Sequence, residues 1–566
     1  MTRPALVYRG RVLDTLRKGV TRARLFADAL RSTGVVQPVR PTRLLGFARD
    51  ALRSPFGPHL AVMFYAQVQP DKEALVEYAA TGVKRLSWSE LDATINRLAN
   101  ALLARGAGGG SRIALMLPNA SEYLIAHQAL ARIGATAIQI SYHLKAGEIA
   151  YILSNAEPKA TLVHADQLAV MTEARAQAGQ TGPMIVIGAT VNEPGPAVTD
   201  WHRALAAASP ALPVRQRGDA DGGVIVYTSG TTGKSKGAHR TWRATGYESV
   251  IDMMRQVGIR GDDRHLVVCP LYHSAAPGFV VMLMALGATI ILMNHFDPAG
   301  ALDIIERERV TCTLMVPTMI LRLANLPREV PTGARAASLR WVMSVAAPLP
   351  TDTARRFMER FGPILWNFYG ATETGMVTLA GPDDHLARPG TIGRALFGNE
   401  IRLLDDTGRD VPSGEVGELY VRNSMLINGY HKNAEAMHSA SRDGSFSVGD
   451  LGRRDAGGYY YLEARKHDLV ISGGVNIYPR EIEDHLLAHP AILDAAVLGV
   501  PDPEWGESLR AFVVLRAGHT VSEQDVIAYC RAGLADFKRP RRVTFVAELP
   551  RNPTGKVLKR ELRTRP

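Results

Sequence analysis

The sequence predicts an α/β protein with a large N-terminal domain of parallel α/β sheets, a small β subdomain and a small α+β C-terminal domain. Three observations carry this. Helix-period and strand-period segments alternate from Ser87 onward, the pattern of a parallel sheet wrapped by helices. Between about residues 390 and 462 that pattern gives way to glycine turns and short alternating strands such as Glu400–Leu404 and Glu418–Val421. The chain has 566 residues, too many for one hydrophobic core.

Taken in order, residues 1–57 form a basic extension with twelve Arg or Lys against three Asp, a balance of +9. Within it Val12, Leu16, Val20, Ala23, Ala27 and Leu30 recur at steps of three and four, giving an amphipathic helix over 11–31 with a basic face. Such a helix serves either as a peripheral membrane contact or as packing against the main domain. Asp14 and Asp28 argue against a transit peptide, and no compact apolar block marks a signal peptide.

The main domain, 58–464, continues with a helix from Ser89 to Leu103, a strand Arg112–Leu117, a helix to Ile133 and a strand Thr136–Ile140. A helix from Ala146 and a strand Ala160–Val163 follow. Gln177–Pro196 reads as a loose surface excursion. The longest apolar run, Phe279–Met293, is shorter than the ~18 residues of a membrane span and divides at Gly287 into a buried helix and a strand. The C-terminal domain, 469–566, reads as a helix from Pro479, strands Asp494–Val500 and Arg510–Leu515, a helix from Ser522, and a strand Arg542–Val546.

Net charge is +11, but residues 531–566 hold +8 and the extension +9, so the body is mildly acidic. Two basic ends fit anionic small molecules or a lipid surface better than a nucleic-acid groove. Cys269, Cys312 and Cys530 have no metal-binding spacing and read as packed thiols of a reducing, cytoplasmic compartment.

The stretch around which the chain is organised is Val224–Gly237. Four apolar residues of a buried strand lead into Thr228, Ser229, Gly230, Thr231, Thr232, Gly233, Lys234, Ser235, Lys236 and Gly237. Close-approaching backbone N–H groups, hydroxyls and two ammonium groups suit a polyphosphate. The frame is not that of a Walker A loop, whose first glycine would occupy position 228, where this chain has Thr. A P-loop-type ATPase is therefore the disfavoured alternative.

This loop resembles the nucleotide loop of the acyl-adenylate-forming (ANL) superfamily, of which acyl-CoA synthetases, luciferases and peptide-synthetase adenylation domains are members. Ser235 stands where that family usually has Pro. Further motifs follow in the family's order, and the resemblance spans roughly residues 60–560. Pro270-Leu-Tyr-His273 resembles the signature beside the carboxylate and thiol sites, with Ser274, Ala275 and Gly278 leaving room for an apolar acyl chain. Ala346, Ala347 and Pro348 occupy the turn that holds the adenine edge, which is richer in glycine elsewhere in the family. In Trp366–Gly375 the resemblance implies that Tyr369 offers a face to adenine, Gly370 borders ATP and acyl group, Thr372 donates to the α-phosphate and Glu373 binds Mg²⁺ with Thr228. Asp450 would grip the ribose hydroxyls, Arg465 would reach ribose or phosphates, and residues 465–468 would be the hinge, with His467 at the pivot in place of the usual Asp or Lys. Lys556, on a loop ordered by Thr554 and Gly555, corresponds to the catalytic lysine.

The resemblance therefore implies a β-barrel-like character for the subdomain and a mobile C-terminal lid. It implies an AMP-forming acyl-CoA synthetase of the fatty acyl type, using ATP, Mg²⁺ and coenzyme A. Absence of Asp or Glu from Tyr272–Val280 disfavours an amino-acid substrate, and the small residues there together with the amphipathic N-terminal helix favour a medium- or long-chain, or similarly apolar, acid. An acyl-AMP ligase loading a carrier protein is the alternative with the same nucleotide motifs.

Overall fold

The computed structural model describes residues 21, 24–35, 38–80, 82–191, 197–214, 221–228, 235–243, 246–472, 475–552 and 555–565. Loop positions Ser229, Gly230, Thr231, Thr232, Gly233 and Lys234, and the first half of the expected helix 11–31, lie outside the described residues.

Two large sheets form the body. The eight-stranded sheet runs Gly429–Tyr430, Lys236–Thr241, Gly223–Thr228, Thr136–Gln139, Arg112–Met116, Ala160–His164, Met184–Ile187, Val198–Asp200. Its neighbours are parallel from Gly223–Thr228 to the far edge. The second sheet is parallel from Glu73–Ala79 through Thr289–Met293, Arg264–Val267, Cys312–Met315 and Trp341–Ser344 to Leu365–Ala371. There it turns antiparallel and continues without a break into the strands of the β subdomain, fifteen strands in all. The subdomain is thus stitched to the body from both sides, since its strand Gly429–Tyr430 pairs with Lys236–Thr241 of the other sheet.

Helix Ser121–Arg132 explains how the sheets stay together. Eleven of its twelve residues are buried, so it is covered on every side. Its Tyr123, Ile125 and Leu130 share one apolar core with Ile113 and Leu115 of the eight-stranded sheet and Ile290 and Leu292 of the other. Each fully buried aliphatic side chain contributes about 2 kcal/mol from water exclusion. Helix Trp88–Ala104 starts on a capping box in which Ser87 and Glu90 satisfy each other's backbone amides.

Several expectations needed revision. Within the segment read as a loose excursion, Met184–Ile187 is a fully buried parallel strand, a short apolar run introduced by Gly182 and Pro183; residues 192–196 lie outside the described ones. Gly182 is required there, since a Cβ would lie 2.3 Å from the Lys159 carbonyl oxygen. The sequence around Thr313–Val316 reads as a strand followed by a turn at Pro317 and Thr318, but those two residues begin helix Pro317–Ala324, proline being suited to a first helical turn. The run Phe279–Met293 behaves as read, with helix Ala275–Leu286, Gly287 at φ +86° and strand Thr289–Met293. The three cysteines are all buried. No helix among the described residues is long and apolar enough to cross a membrane.

The C-terminal segment forms its own five-stranded sheet around the long hairpin Ile492–Asp502 and Gly506–Leu515, backed by helices Pro479–Leu487 and Glu523–Gly533. It touches the body through Arg480, which donates to the Leu349 carbonyl at 3.1 Å, and through Arg516 against Asp352 at 3.4 Å.

Candidate active site

In open α/β sheets ligands bind beyond the carboxyl ends of the strands, and here two such ends meet. Thr228 is the last residue of Gly223–Thr228, and the chain returns as Lys236–Thr241 antiparallel to it, with Thr228 opposite Lys236 and Tyr227 opposite Gly237. The phosphate-type loop is therefore the tip of a hairpin. A Walker A loop feeds a helix, so the topology removes that alternative. Gly237 permits the close pairing, because a Cβ there would meet Ile225 Cγ2 at 3.0 Å and the Tyr227 ring at 3.2 Å. The hairpin is anchored by Tyr227 donating to Asn155 at 2.6 Å and Tyr151 donating to the Ser235 carbonyl at 3.2 Å.

From the other sheet, Leu365–Ala371 and Gly375–Ala380 form a hairpin whose turn carries Thr372 and Glu373. Gly370 cannot be replaced without moving the turn, since a Cβ would lie 2.0 Å from the Gly375 carbonyl oxygen. Glu373 is 7% exposed and its Oε1 accepts from Thr228 Oγ1 at 3.1 Å and from the Tyr430 hydroxyl at 3.0 Å. Burial and the adjacent carboxylate push the Tyr430 phenol well above its ordinary range, so it stays a donor. Arg240 donates to the carbonyls of Thr372 and Met425, placing a half-buried cation near Glu373. Thr372 Oγ1 lies 2.9 Å from Ser274 Oγ, which ties the turn carrying His273 and Ser274 to the same centre.

A carboxylate and a hydroxyl converging from two sheets suit Mg²⁺, an ion that takes one or two protein oxygens and keeps water and phosphate ligands. No group of three or more His, Cys, Asp or Glu among the described residues could hold a metal alone. That small donor set fits an ion that arrives with a nucleotide.

Asp450, at 7% exposure, accepts from the Tyr369 hydroxyl at 2.9 Å and pairs with Arg465 Nε at 3.2 Å. Lys556 enters from the C-terminal segment. Its loop is closed by Asn552, whose carboxamide oxygen accepts from the Lys556 amide at 2.9 Å while its own amide donates to the Lys556 carbonyl at 2.9 Å. Gly555, at φ +78°, sits where a Cβ would come within 3.3 Å of Thr318 Oγ1 on the body. Desolvation first, then the Arg465 charge, lowers the Lys556 ammonium to about 8, against opposing pulls from Asp450 and Glu373. His273, expected from the sequence to border the acyl group, has its Nε2 buried without a hydrogen-bond partner among the described residues. Burial, then the charges of Lys556 and His143, lowers it to about 3, so it is neutral at pH 7.

The AMP-binding enzyme profile matches residues 64–431, and that of the AMP-binding enzyme C-terminal domain matches 481–556. The chain belongs to the AMP-binding enzyme family. It is 35% identical over 510 residues to a feruloyl-CoA synthase from Amycolatopsis, covering 88% of this chain and 98% of the relative. It is 33% identical to the long-chain-fatty-acid–CoA ligase FadD13 of Mycobacterium tuberculosis, covering 88% and 96%. ATP-bound MatB from Rhodopseudomonas palustris superposes with a TM-score of 0.79 at 32% identity, covering 90% and 98%. The protein is accordingly an AMP-forming acid–thiol ligase that uses ATP and CoA, with Mg²⁺.

For an AMP-binding enzyme the turn Ala346-Ala-Pro348 has an unusual cost. Ala346 adopts φ +71°, in the region where glycine alone is unstrained. The family's glycine preference there has this physical basis, and this chain meets it with alanine. Lys236 lies 5.4 Å from the centre of the Tyr430 ring, beside the Glu373 hub. His467, in the turn Lys466–Asp468, has Nε2 3.7 Å from Asp468; desolvation lowers its pKa against the Asp468 charge. Tyr430 and Arg240 were not read from the sequence. Arg240 lies on the strand leaving the loop, but Tyr430 is 57 residues from Glu373, and only the pairing of Gly429–Tyr430 onto that strand brings it in.

Proposed function

We propose that this ligase activates an apolar monocarboxylic acid, of medium or long chain or similarly apolar, as its acyl-AMP and passes the acyl group to CoA. The observation that carries the substrate class is the acyl-side turn. The Tyr272 and His273 rings lie tilted at 4.4 Å, Tyr142 meets Tyr272 edge-on at 5.1 Å, and Phe279 lies 6.1 Å from Phe368. This neighbourhood is aromatic, and its histidines His143 and His273 are depressed by burial and hence neutral. Gly278 is exposed on the first turns of helix Ala275–Leu286, and a Cβ there would meet nothing within 4 Å. The space beside it suits a chain that needs room and no counter-ion. Both curated relatives named above act, by name, on acids with a hydrophobic body.

The residue roles that complete this reading are supported by the placement of the side chains described above. Lys556 bridges the substrate carboxylate and the ATP α-phosphate, neutralising charge as the carboxylate oxygen attacks the α-phosphorus and pyrophosphate leaves. The 228–237 loop holds the β- and γ-phosphates, Thr372 the α-phosphate, Asp450 and Arg465 the ribose side. Tyr369 and the Ala346–Pro348 turn receive adenine. Glu373 and Thr228 hold Mg²⁺, which supplies charge neutralisation on the phosphates when bound. In the second half-reaction the lid, residues 469–566, rotates about His467 and withdraws Lys556, the CoA thiolate attacks the acyl carbon, and AMP departs.

The test is acid-dependent ATP–pyrophosphate exchange across a panel of fatty, aryl and polar acids, with acyl-CoA detected as product. Exchange confined to polar or dicarboxylic acids contradicts the substrate class. Gly278→Leu should raise KM for long acids at least tenfold while leaving short ones close to wild type; an equal rise for both removes Gly278 from the acyl site.

A further inference from the structure

Helix Pro41–Ala51 is turned the wrong way round for a solvent-facing helix. Two of its polar residues face the protein: Arg43 donates to the Val68 carbonyl at 2.8 Å, and Asp50 accepts from Gln67 at 3.2 Å. Phe47 packs edge-on against Phe64 at 5.3 Å on the same side. The opposite side, one stripe at helical spacing, presents Pro41, Leu45, Ala48 and Leu52, with Leu44 beside it. Leu45 is 71% and Leu52 87% exposed, and no residue of the helix is buried. Phe26, Leu30 and Phe56 are exposed nearby in sequence, so six of the fifteen exposed large apolar side chains among the described residues fall within residues 26–56. Such a concentration exceeds the scatter of single apolar residues normal on a soluble surface.

The charges around the stripe select its occupant. Arg24, Arg31, Arg40, Arg49 and Arg53 are exposed in the same segment, against Asp28 as the exposed acid. A second copy of the chain would bring these arginines face to face, a like-charge arrangement that opposes docking. An apolar stripe rimmed by arginine matches the boundary of an anionic bilayer, with leucines among acyl chains and guanidinium groups at phosphates. We propose that the outward face of helix Pro41–Ala51, with its flanking arginines, docks this enzyme on anionic membranes.

The position gives the docking a use. This helix packs on His59–Val68, which packs in turn on Ala275–Leu286, the helix that starts at the acyl-side turn. Tyr65 of the middle helix donates to the Ala285 carbonyl at 3.4 Å, and its ring lies so near Gly287 that a Cβ there would come within 2.6 Å. A bilayer held on the leucine face therefore lies two helices away from Ala275–Leu286, the helix whose first turn carries Gly278, on the side from which an apolar acid would partition. Binding to lipid does not depend on which acid is activated, so the two readings fail separately.

The full chain is tested by co-sedimentation with vesicles of phosphatidylcholine alone and of equal parts phosphatidylcholine and phosphatidylglycerol. Binding is expected to the anionic vesicles, much weaker binding to the neutral ones, and loss in molar salt. Arg49→Ser and Arg53→Ser should each weaken partition about fivefold. The double variant Leu45→Ser/Leu52→Ser should weaken it at least tenfold while keeping the melting temperature and AMP formation from a soluble acid, since both side chains are already in water. Absence of wild-type binding overturns the proposal. So does leucine-variant binding equal to wild type, which assigns the attraction to basic charge alone, and so does a dimer that the leucine variant dissolves without any vesicle partition.

Discussion

Lys556 is the residue on which the proposed chemistry turns, and its environment makes a double prediction. Its ordinary value is 10.5 and its folded value about 8. Between these the unfolded chain holds a proton the native one lacks, so this group's contribution to stability rises with pH and is unfavourable below 8. Lys556→Met should therefore raise the melting temperature at pH 7, by an increment that shrinks as pH climbs from 8 towards 10.5. The same variant should lower ATP–pyrophosphate exchange at least 100-fold while a preformed acyl-adenylate is still converted to thioester. Equal loss of both half-reactions contradicts the role given to this lysine. Ala346 is the second residue with a directed expectation: Ala346→Gly relieves the left-handed backbone and should stabilise the body by about 1 kcal/mol, read as a higher melting temperature with ATP binding retained.

At the scale of elements, two hairpins form the candidate site, the first kept close by Gly237 and the second dependent on Gly370. In Gly370→Ala the new methyl meets the Gly375 carbonyl, so the turn carrying Thr372 and Glu373 must shift. A displacement of ~1 Å can cost on the order of 100-fold in rate, so kcat for AMP formation should drop to that extent, with a raised requirement for Mg²⁺. An unchanged metal requirement would mean Glu373 is not positioned by this turn. The sequence showed each of these turns as a glycine-rich motif, and the strand before each was legible from its apolar run. It did not show that the loop after Thr228 closes a hairpin, because Lys236–Thr241 alternates poorly: His239 and Arg240 interrupt any strand pattern, and only pairing with Gly223–Thr228 makes it one. Met184–Ile187 was missed for the opposite reason, four residues being too short a run to stand out between polar segments.

At the scale of the whole molecule, the body is a core shared by two sheets, and that core holds titratable groups. Burial lowers His59 well below its ordinary range, His127 and His385 to about 4, and His265 and His273 to about 3. Each is depressed in the folded state, so the unfolded chain binds the extra proton and stability falls as pH drops below 6.5. Unfolding at pH 5 should take up close to five protons more from these groups than at pH 8, and the melting temperature should decline steeply on that side. His127→Gln should flatten the decline, while a pH-independent melting temperature between 5 and 8 would contradict their burial.

The sequence alone determined the α/β class, the order of the nucleotide-binding motifs and the identity of most side chains at the centre. Those follow from local facts: apolar periodicity, glycine placed where backbone must come close, and a run of donors after a strand. Tertiary structure decided which of those side chains meet. Thr228 and Glu373 lie 145 residues apart and share a hydrogen bond at 3.1 Å, Tyr430 joins them through a two-residue strand, and Arg240 lies beside them. It also decided that a helix near the N-terminus turns its leucines outward. Direction in space depends on what packs against an element, and a pattern along one chain does not contain its partner.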